Sequence, residues 1–150
     1  MSNTYKQVLA RQRKLLEEAP TKARNAAGIA FVARVVPRVP VDTGRARANW
    51  NAAAGALDTS TDQERYDPDG TKTALRLKRV INSLPKGGSL FISNHLPYAR
   101  RLENGWSQQA PSGFMTLTAA EVAYLAPAFL MAALGAKPTA TGFVTFELED

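Results

Sequence analysis

The N-terminal quarter of the chain places apolar and polar residues with the period of an α-helix. Between Tyr5 and Leu16 the larger apolar side chains recur with helical spacing, and charged residues cover the other sides. Pro20 then predicts either a break, with a new helix from Thr21, or a kink that one helix absorbs. We treat residues 1–20 as an N-terminal helical extension.

The next segment, residues 26–36, is apolar at nearly every position, with Gly28 and Arg34 as exceptions. A helix of this composition is buried on most of its circumference, so we expect it to be the central core helix. Pro37 and Pro40 should end it.

A sharp corner is predicted at residues 39–44, where the sequence Val-Pro-Val-Asp-Thr-Gly follows this helix. Asp42 and Thr43 can hydrogen-bond to nearby backbone amides, and Gly44 can adopt a positive φ without a Cβ clash. We expect Asp42 to act as a backbone cap rather than as a catalytic carboxylate.

Residues 45–54 alternate between small apolar and polar side chains. Alanine favours a helix, but the period of two favours a strand, and we give the period more weight. In such a strand Arg45 and Arg47 would point to the same side.

Residues 55–70 are rich in Asp, Thr, Ser and Gly and show no periodicity. We expect an exposed loop that is either mobile or ordered by a partner, ending in a turn at 67–70. A helix should follow, with Thr71 as its N-cap and Ser83 near its end. Its basic residues form either a solvated face or a ligand-facing stripe.

Short elements are predicted in the middle of the chain. Residues 89–94 indicate a short buried strand, and Pro97 suits the first turn of a helix that reaches Leu102. Gly105 should stop this helix, and residues 106–113 should form a loop.

The last third of the chain predicts one more helix and one more strand. Thr-Ala-Ala-Glu at 118–121 matches a capping box, so a helix should run from there to Leu134, kinked or restarted at Pro127. Alternation over residues 144–148 predicts a terminal strand. The expected fold class is α+β, with a long N-terminal helix on a small, mostly antiparallel sheet, two or three further helices and a C-terminal strand.

Composition limits the class of protein. With 150 residues, 45% of them hydrophobic, the chain suffices for one domain over residues 1–150. It has no cysteine, which excludes disulfides and thiolate metal sites. The start lacks the layout of a secretory signal, and the longest uncharged apolar run, 122–136, is shorter than the roughly 20 residues that a bilayer requires. We therefore expect a soluble protein without membrane contact.

Charge is distributed unevenly along the chain. Residues 1–50 carry a net charge of +7, residues 51–100 carry +2 and residues 101–150 carry −3, for a total of +6. Such polarity suits contact with nucleic acid or an acidic partner, and equally suits head-to-tail contact between copies of the same chain.

The sequence offers little that could support catalysis. His95 is the only histidine, so any catalytic triad or histidine metal site would need it, and its neighbours indicate a structural or surface role. Ser-Leu-Pro-Lys at 83–86 has the Ser-x-x-Lys spacing of some acyl enzymes, but Pro85 opposes the helical turn that such a site needs. The carboxylates of residues 55–70 lack a calcium-binding pattern, and no phosphate-binding glycine loop is present. We predict no enzyme, no cofactor and no metal site.

Four arginines flank the two places where an aromatic residue meets a turn. They are Arg45, Arg47, Arg100 and Arg101. They are either surface charges or groups that contact phosphate, or carboxylates of a neighbouring subunit, since the planar guanidinium pairs with both in a bidentate manner.

Two stretches resemble signatures of tailed-bacteriophage neck and tail-completion proteins, the minor tail protein Z-like or head–tail joining group. The first is Pro-Val-Asp-Thr-Gly at 40–44, closing on Trp50. The second, at 94–113, contains Asn, Pro-Tyr, Leu-Glu-x-Gly-x-Ser and Ala-Pro-x-Gly in the family's order. Together they cover roughly a fifth of the chain.

The resemblance implies a non-enzymatic virion protein of the head–tail junction that assembles in the host cytoplasm into a ring, on the order of six or twelve copies. Its implied partners are portal, adaptor or head-closure proteins on one side and tail-terminator or tail-tube proteins on the other, with non-specific contact to genomic DNA in the lumen. The predicted structural and subunit-contact residues are Pro40, Asp42, Thr43, Gly44, Arg45, Arg47, Trp50, Tyr98, Arg100, Arg101, Glu103, Gly105, Trp106, Pro111 and Gly113. Those that the family shares are expected to be corner, cap and turn residues that hold two loops in shape.

Two alternatives stay open at this point. The first is a DNA-binding module that uses the basic residues between Tyr5 and Arg24, although no recognition-helix module is evident. The second is a hydrolase, which would depend on His95.

Overall fold

The computed structural model describes residues 3–109, 112–138 and 144–145, and its fold is α+β, as predicted. The elements in chain order are α1 (Asn3–Arg38), α2 (Arg45–Ala48), β1 (Trp50–Ala54), α3 (Thr71–Ser83), β2 (Leu90–Asn94), α4 (Ala99–Glu103), α5 (Phe114–Ala133), β3 (Lys137–Pro138) and β4 (Val144–Thr145).

Helix α1 is continuous over 36 residues and contains both Pro20 and Pro37. The chain therefore takes the second of the two predicted courses at Pro20, without a break. Proline removes one backbone hydrogen bond, but good helix formers surround Pro20, and the half of α1 that follows is held by tertiary packing. The helix ends at Arg38, one residue beyond Pro37.

The second half of α1 lies in the core, as its apolar sequence predicts. Val32, Val35 and Val36 are at most 2% exposed and pack with Leu77 and Ile81 of α3, which are fully buried. The ring of Trp50, at the start of β1, meets Phe31 edge-on at 6.2 Å between centroids and completes this side of the core.

The segment after the corner differs from the prediction, because residues 45–48 form helix α2 and the strand begins only at Trp50. The amide of Ala48 donates to the carbonyl of Gly44 at 3.0 Å, which closes one helical turn. Alanine's helix propensity therefore prevails over the period of two. Gly44 is required here, since its φ is +85° and a Cβ would lie 2.4 Å from the backbone nitrogen of Pro68.

Strands β1 and β2 form an antiparallel pair in which Trp50 faces Asn94 and Ala54 faces Leu90. The side chain of Leu90 then lies against α1, where a Cβ on Gly28 would come within 2.3 Å of Leu90 Cδ2. Gly28, an exception in an apolar run, allows the close approach of this strand to the core helix.

The loop at 55–70 is exposed at most positions, as predicted, and the chain itself binds its backbone through hydrogen bonds. The buried amide of Asn49 donates to the carbonyl of Asp62 at 3.0 Å and accepts from its N–H at 2.7 Å. Asn51 donates to the carbonyl of Ser60 at 2.8 Å, and Ser93 of β2 donates to that of Asp58 at 2.8 Å. Polar side chains of β1, of β2 and of the residue before β1 thus bind the loop.

Helix α3 has the predicted span, but its capping residue is different. Thr71 is the first helical residue, and the N-cap is Gly70. The carboxylate of Asp67, only 4% exposed, accepts a hydrogen bond from the N–H of Thr73 at 2.7 Å. Arg76 of the same helix donates to the carbonyl of Trp50 at 2.6 Å, so this cation binds the sheet and is not part of an exposed stripe.

Helix α5 begins at Phe114, four residues before the predicted capping box. Thr118 lies inside the helix, fully buried, where its hydroxyl donates to the carbonyl of Phe114 and accepts from Arg38. Glu121 pairs with Arg38 at 2.8 Å and lies 3.8 Å from Arg34, so α5 runs back along α1. The Thr-Ala-Ala-Glu motif therefore joins two helices instead of starting one.

The end of the chain is described in part. Helix α5 continues through Pro127 to Ala133, and the backbone at 137–138 pairs antiparallel with that at 144–145. The remaining residues of the predicted strand, 146–148, lie outside the described residues.

We expect Leu77→Ala to destabilise the fold by about 2–5 kcal/mol, because truncation of a fully buried leucine leaves a cavity. Leu75→Ala is the matched control on the same helix, since Leu75 is 48% exposed, and it should change stability by no more than about 0.5 kcal/mol. Urea unfolding followed by circular dichroism measures both. Equal losses would show that α3 does not face the core as described.

The pairing of Glu121 predicts a pH dependence. The hydrogen bond from Arg38 holds the pKa of the Glu121 carboxyl below its ordinary value. A depressed pKa stabilises the fold above the unfolded-state pKa of about 4.3, and this stabilisation is lost as pH falls through the folded-state pKa. Glu121→Gln should therefore lower the melting temperature at neutral pH, and the difference from wild type should shrink in acid. A constant difference across the titration would contradict this role.

Candidate functional site at the meeting of the two motifs

The two sequence motifs, which lie about 50 residues apart, face each other across a cleft of about 370 Å³. Residues 40–46 form one wall, and Tyr98, Leu102, Ser107 and Gln109 form the other. The N–H of Val41 donates to the side-chain oxygen of Gln109 at 3.0 Å, which joins the walls directly. The structure therefore brings the corner and the second motif together.

Arg47 fixes the corner by donating to three backbone carbonyls. Its guanidinium reaches Pro37 at 2.8 Å, Val39 at 3.0 Å and Pro68 at 2.7 Å. The carbonyls of Pro37 and Val39 lie at the end of α1, where backbone carbonyls lack helical partners. The carbonyl of Pro68 belongs to the loop before α3. Arg47 is thus a structural residue and not a free surface charge.

Arg45 is the cationic residue of the cleft wall. It lies over the ring of Tyr66, with its Cζ atom 5.1 Å from the centroid, and donates to the Tyr66 hydroxyl at 2.5 Å. That hydrogen bond raises the pKa of Arg45. Its buried Nε has no hydrogen-bond partner among the described residues. Burial raises the pKa of Tyr98 across the cleft, although the Arg45 charge opposes this shift.

Asp42 does not serve as the cap that the sequence indicated. Its side chain is exposed and accepts no hydrogen bond within the described part of the chain. The neighbouring Thr43 hydroxyl accepts from the N–H of Arg45 at 3.3 Å and partly fills that role. Since both are exposed at the mouth of the cleft, they are available for contact with another molecule.

Glu103 caps helix α5 from outside that helix. Its carboxylate accepts from the backbone N–H of Met115 at 2.8 Å and from that of Thr116 at 3.0 Å, while its own carbonyl accepts from the N–H of Gly113 at 2.7 Å. A carboxylate at a helix N-terminus also interacts favourably with the helix dipole. Glu103 is thus a capping residue of α5, a role that falls within the corner, cap and turn functions expected of the motif residues as a set.

The remaining predicted residues divide between core and surface. Pro40 and Trp50 are buried, Gly105 ends α4 and Gly113 is the N-cap of α5. Arg100 and Arg101 are exposed. The guanidinium of Arg101 lies over the ring of Trp106 at 5.0 Å, and that ring is 75% exposed. Pro111 lies outside the described residues.

A second, mostly apolar cavity of about 290 Å³ lies between α4 and the start of α5. Trp50, Leu102 and Phe114 line it, and the buried Nε1 of Trp50 has no hydrogen-bond partner among the described residues. The sequence showed no sign of this cavity, because its walls come from residues as far apart in the chain as Val39 and Met115.

Several residues of the site were missed by sequence reasoning. Tyr66 and Gln109 lie in stretches that looked like plain loops, and neither has a local pattern that singles it out. The alternation of Asn49 and Asn51 with alanines was visible, but their role in holding a distant loop was not.

The arrangement is suited to recognition by charge and shape. Guanidinium groups and an exposed indole can bind carboxylates, phosphates or apolar protein surface. Among residues 3–109, 112–138 and 144–145, no group of three or more His, Asp or Glu side chains is placed to hold a metal ion. His95 is exposed and lies outside the two cavities.

Helix α5 is unusually apolar for a helix that is mostly exposed. Within the described chain it alone is long and apolar enough to span a membrane, with a mean hydropathy of 1.5 and only 11% of that window buried. Sequence reasoning counted from residue 122 and found too short a run, whereas the helix begins at Phe114. This is weak evidence of a membrane span, since Glu121 lies within the helix and is paired with α1.

Comparisons of this chain with protein-family models, curated proteins and solved structures found no match.

We expect Glu103→Ala to destabilise the protein by about 0.5–2 kcal/mol, as removal of a capping side chain does. Asp42→Ala is the matched control, because it removes an exposed carboxylate from the same cleft region without loss of a hydrogen bond, and it should cost no more than about 0.5 kcal/mol. Thermal unfolding of both variants tests the assignment. A larger loss for Asp42→Ala would restore Asp42 as the cap.

Proposed function

We propose that this protein is a structural virion component of the phage head–tail junction, which forms a ring that joins the capsid portal complex to the tail. The observation that carries the proposal is that the two stretches resembling the neck-protein signature, far apart in sequence, contact each other around one cleft. A chance match to two separate motifs has no reason to bring them together in space.

The roles of the motif residues also support an assembly protein. Arg47 ties the corner to the end of α1, and Glu103 ties the second motif to α5, so each motif holds a loop in shape. The groups left exposed around them are Asp42, Arg100, Arg101 and Trp106. Tryptophan and arginine are enriched among residues that dominate protein–protein binding energy.

A DNA-binding module is the second candidate, because the exposed cations of α3, Lys72, Lys78 and Arg79, add to those of the N-terminal half of α1. Phosphate contacts of this kind lose affinity steeply as salt rises. Binding to duplex DNA that disappears at moderate salt, and that shows no sequence preference, would fit incidental contact in a ring lumen. Tight, sequence-dependent binding would favour the module.

If the protein is a head–tail connector, native mass spectrometry of the concentrated protein, alone or with its portal complex, should show a closed oligomer. The double change Arg101→Glu with Trp106→Ala should weaken assembly on the order of tenfold, because it removes an exposed cation and aromatic pair. Arg79→Glu on α3 is the control for charge reversal and should leave the oligomer intact.

Two results would count against the connector. One is a strict monomer at high concentration that also fails to bind portal or tail-terminator proteins. The other is an oligomer equally weakened by the Arg79→Glu control, since this would indicate a general effect of charge and not a subunit contact through the second motif.

A further inference from the structure

We propose that the cleft between the two motifs binds a single carboxylate group, which Arg45 holds from one wall and neutral donors hold from both walls. The carboxylate belongs either to a free organic acid or to an acidic side chain of another protein. The inference rests on the proposed connector only for the second of these sources, because a free acid requires no ring.

Arg45 supplies the positive charge of the cleft. Its guanidinium donates to the neutral hydroxyl of Tyr66, and within the described part of the chain it forms no ion pair with a carboxylate. Its buried Nε also has no hydrogen-bond partner there. Buried donors in proteins are nearly always paired, so an unpaired one on a residue that lines a cleft indicates an acceptor on a ligand. Guanidinium and carboxylate groups form strong, charge-assisted hydrogen bonds with each other.

Three neutral side chains of the cleft already use their acceptor atoms within the chain. The side-chain oxygen of Gln109 accepts from the N–H of Val41 at 3.0 Å, and the hydroxyl of Ser107 accepts from the N–H of Gln109 at 3.2 Å. The hydroxyl of Thr43 accepts from the N–H of Arg45 at 3.3 Å. These side chains retain their donors, which are the NH₂ group of Gln109 and the two O–H groups. A lining that offers donors suits a ligand that accepts hydrogen bonds.

Tyr98 adds a further donor from the wall opposite Arg45. Its side chain is half-buried and lines the cleft, and burial raises the pKa of its hydroxyl above the ordinary value. The hydroxyl is therefore protonated at neutral pH and can donate. No side chain or backbone group of the described residues accepts from it, so this O–H is available to a ligand.

Asp42 limits the charge that the cleft accepts. It is exposed and lines the same cleft, so the lining carries one positive and one negative charge. A phosphate group of nearly two negative charges would find one cation and would be repelled by Asp42, whereas a carboxylate carries the single charge that matches Arg45. Pro40, Val41 and Leu102 form an apolar part of the lining, which suits a short hydrocarbon stem such as that of a glutamate side chain. A volume of about 370 Å³ lies within the range of small-ligand sites.

Two compounds of the same shape test whether the cleft requires a charge. They are acetyl-glutamate amide, which has a side-chain carboxylate, and acetyl-glutamine amide, which is neutral. In NMR titrations of the isotope-labelled full chain at low salt, the glutamate compound should bind on the order of tenfold more tightly, because charge-assisted hydrogen bonds are the stronger ones. The backbone amide signals of residues 43–46 and 107–109 should move. Equal binding of the two compounds, or movement of signals elsewhere only, would overturn the proposal.

Charge variants of the two walls test the roles of the residues. Arg45→Gln should remove the preference for the glutamate compound, whereas Lys86→Gln should keep it, since Lys86 is an exposed cation outside the cleft. Asp42→Asn should strengthen binding of the glutamate compound by roughly twofold to fivefold at low salt, because it removes a like charge. A damaged fold would not produce that gain. Unchanged binding in Arg45→Gln, or weaker binding in Asp42→Asn, would contradict the assignment.

Butyrate distinguishes the two sources of the carboxylate, because it has the hydrocarbon stem of glutamate without the peptide groups. If butyrate binds as tightly as acetyl-glutamate amide, the cleft is a site for a free acid. If the glutamate compound binds more tightly, the peptide groups contribute and the source is a protein side chain. Inorganic phosphate that binds more tightly than both would overturn the choice of a carboxylate.

Native mass spectrometry of the same protein separates this inference from the proposed function. A closed oligomer whose cleft shows no preference for the glutamate compound would overturn the carboxylate site and leave the connector standing. A chain that binds the glutamate compound as described, and that stays monomeric alone and with the portal complex, would overturn the connector and support the cleft as a site for a free acid.

Discussion

Burial of the apolar face on the second half of α1 is the interaction on which the other elements depend. Val32, Val35 and Val36 form a surface that α3, β1 and α5 cover from different sides. Each element contacts that helix in a different way. Gly28 of α1 leaves room for the side chain of Leu90, and the ring of Trp50 packs edge-on against Phe31. Phe114, at the start of α5, belongs to the same core. Because these contacts share one helix, a change in its position would disturb all of them together.

Polar residues then fix the segments that the core does not reach. The end of α1, the start of α3 and the start of α5 all leave backbone groups without helical partners. Arg47 serves the first, Asp67 the second and Glu103 the third, each from a different part of the chain. Arg47 and Glu103 of the two motifs are thus used to hold loops against helices, whereas Arg101 and Trp106 lie at the surface.

Much apolar surface stays exposed in the described part of the chain. Most of helix α5 is exposed although the helix is highly apolar, and residues 3–17 of α1 are all exposed. The loop at 55–70 differs, because side chains of the same chain form hydrogen bonds to its backbone. Exposed apolar surface of this kind is typical of sites that contact another molecule, which is consistent with the proposed role in assembly.

The sequence by itself determined the α+β class, the place of residues 26–36 in the core helix, the span of α3, strand β2 and the turn at 67–70, since local periodicity and turn chemistry bear directly on these. Only the tertiary structure decided the elements for which two local signals compete or a distant partner intervenes. In residues 45–48 two local signals compete, and the helix propensity of alanine prevails over the period of two. Thr118 is buried inside α5, where Arg38 of α1 donates to its hydroxyl. Asp42 accepts no hydrogen bond among the described residues, whereas Arg47 holds the corner through three backbone carbonyls. The physical reason is the same in each case. A local sequence pattern limits the structures that a segment can adopt, and the groups that folding brings near the segment decide which of them it adopts.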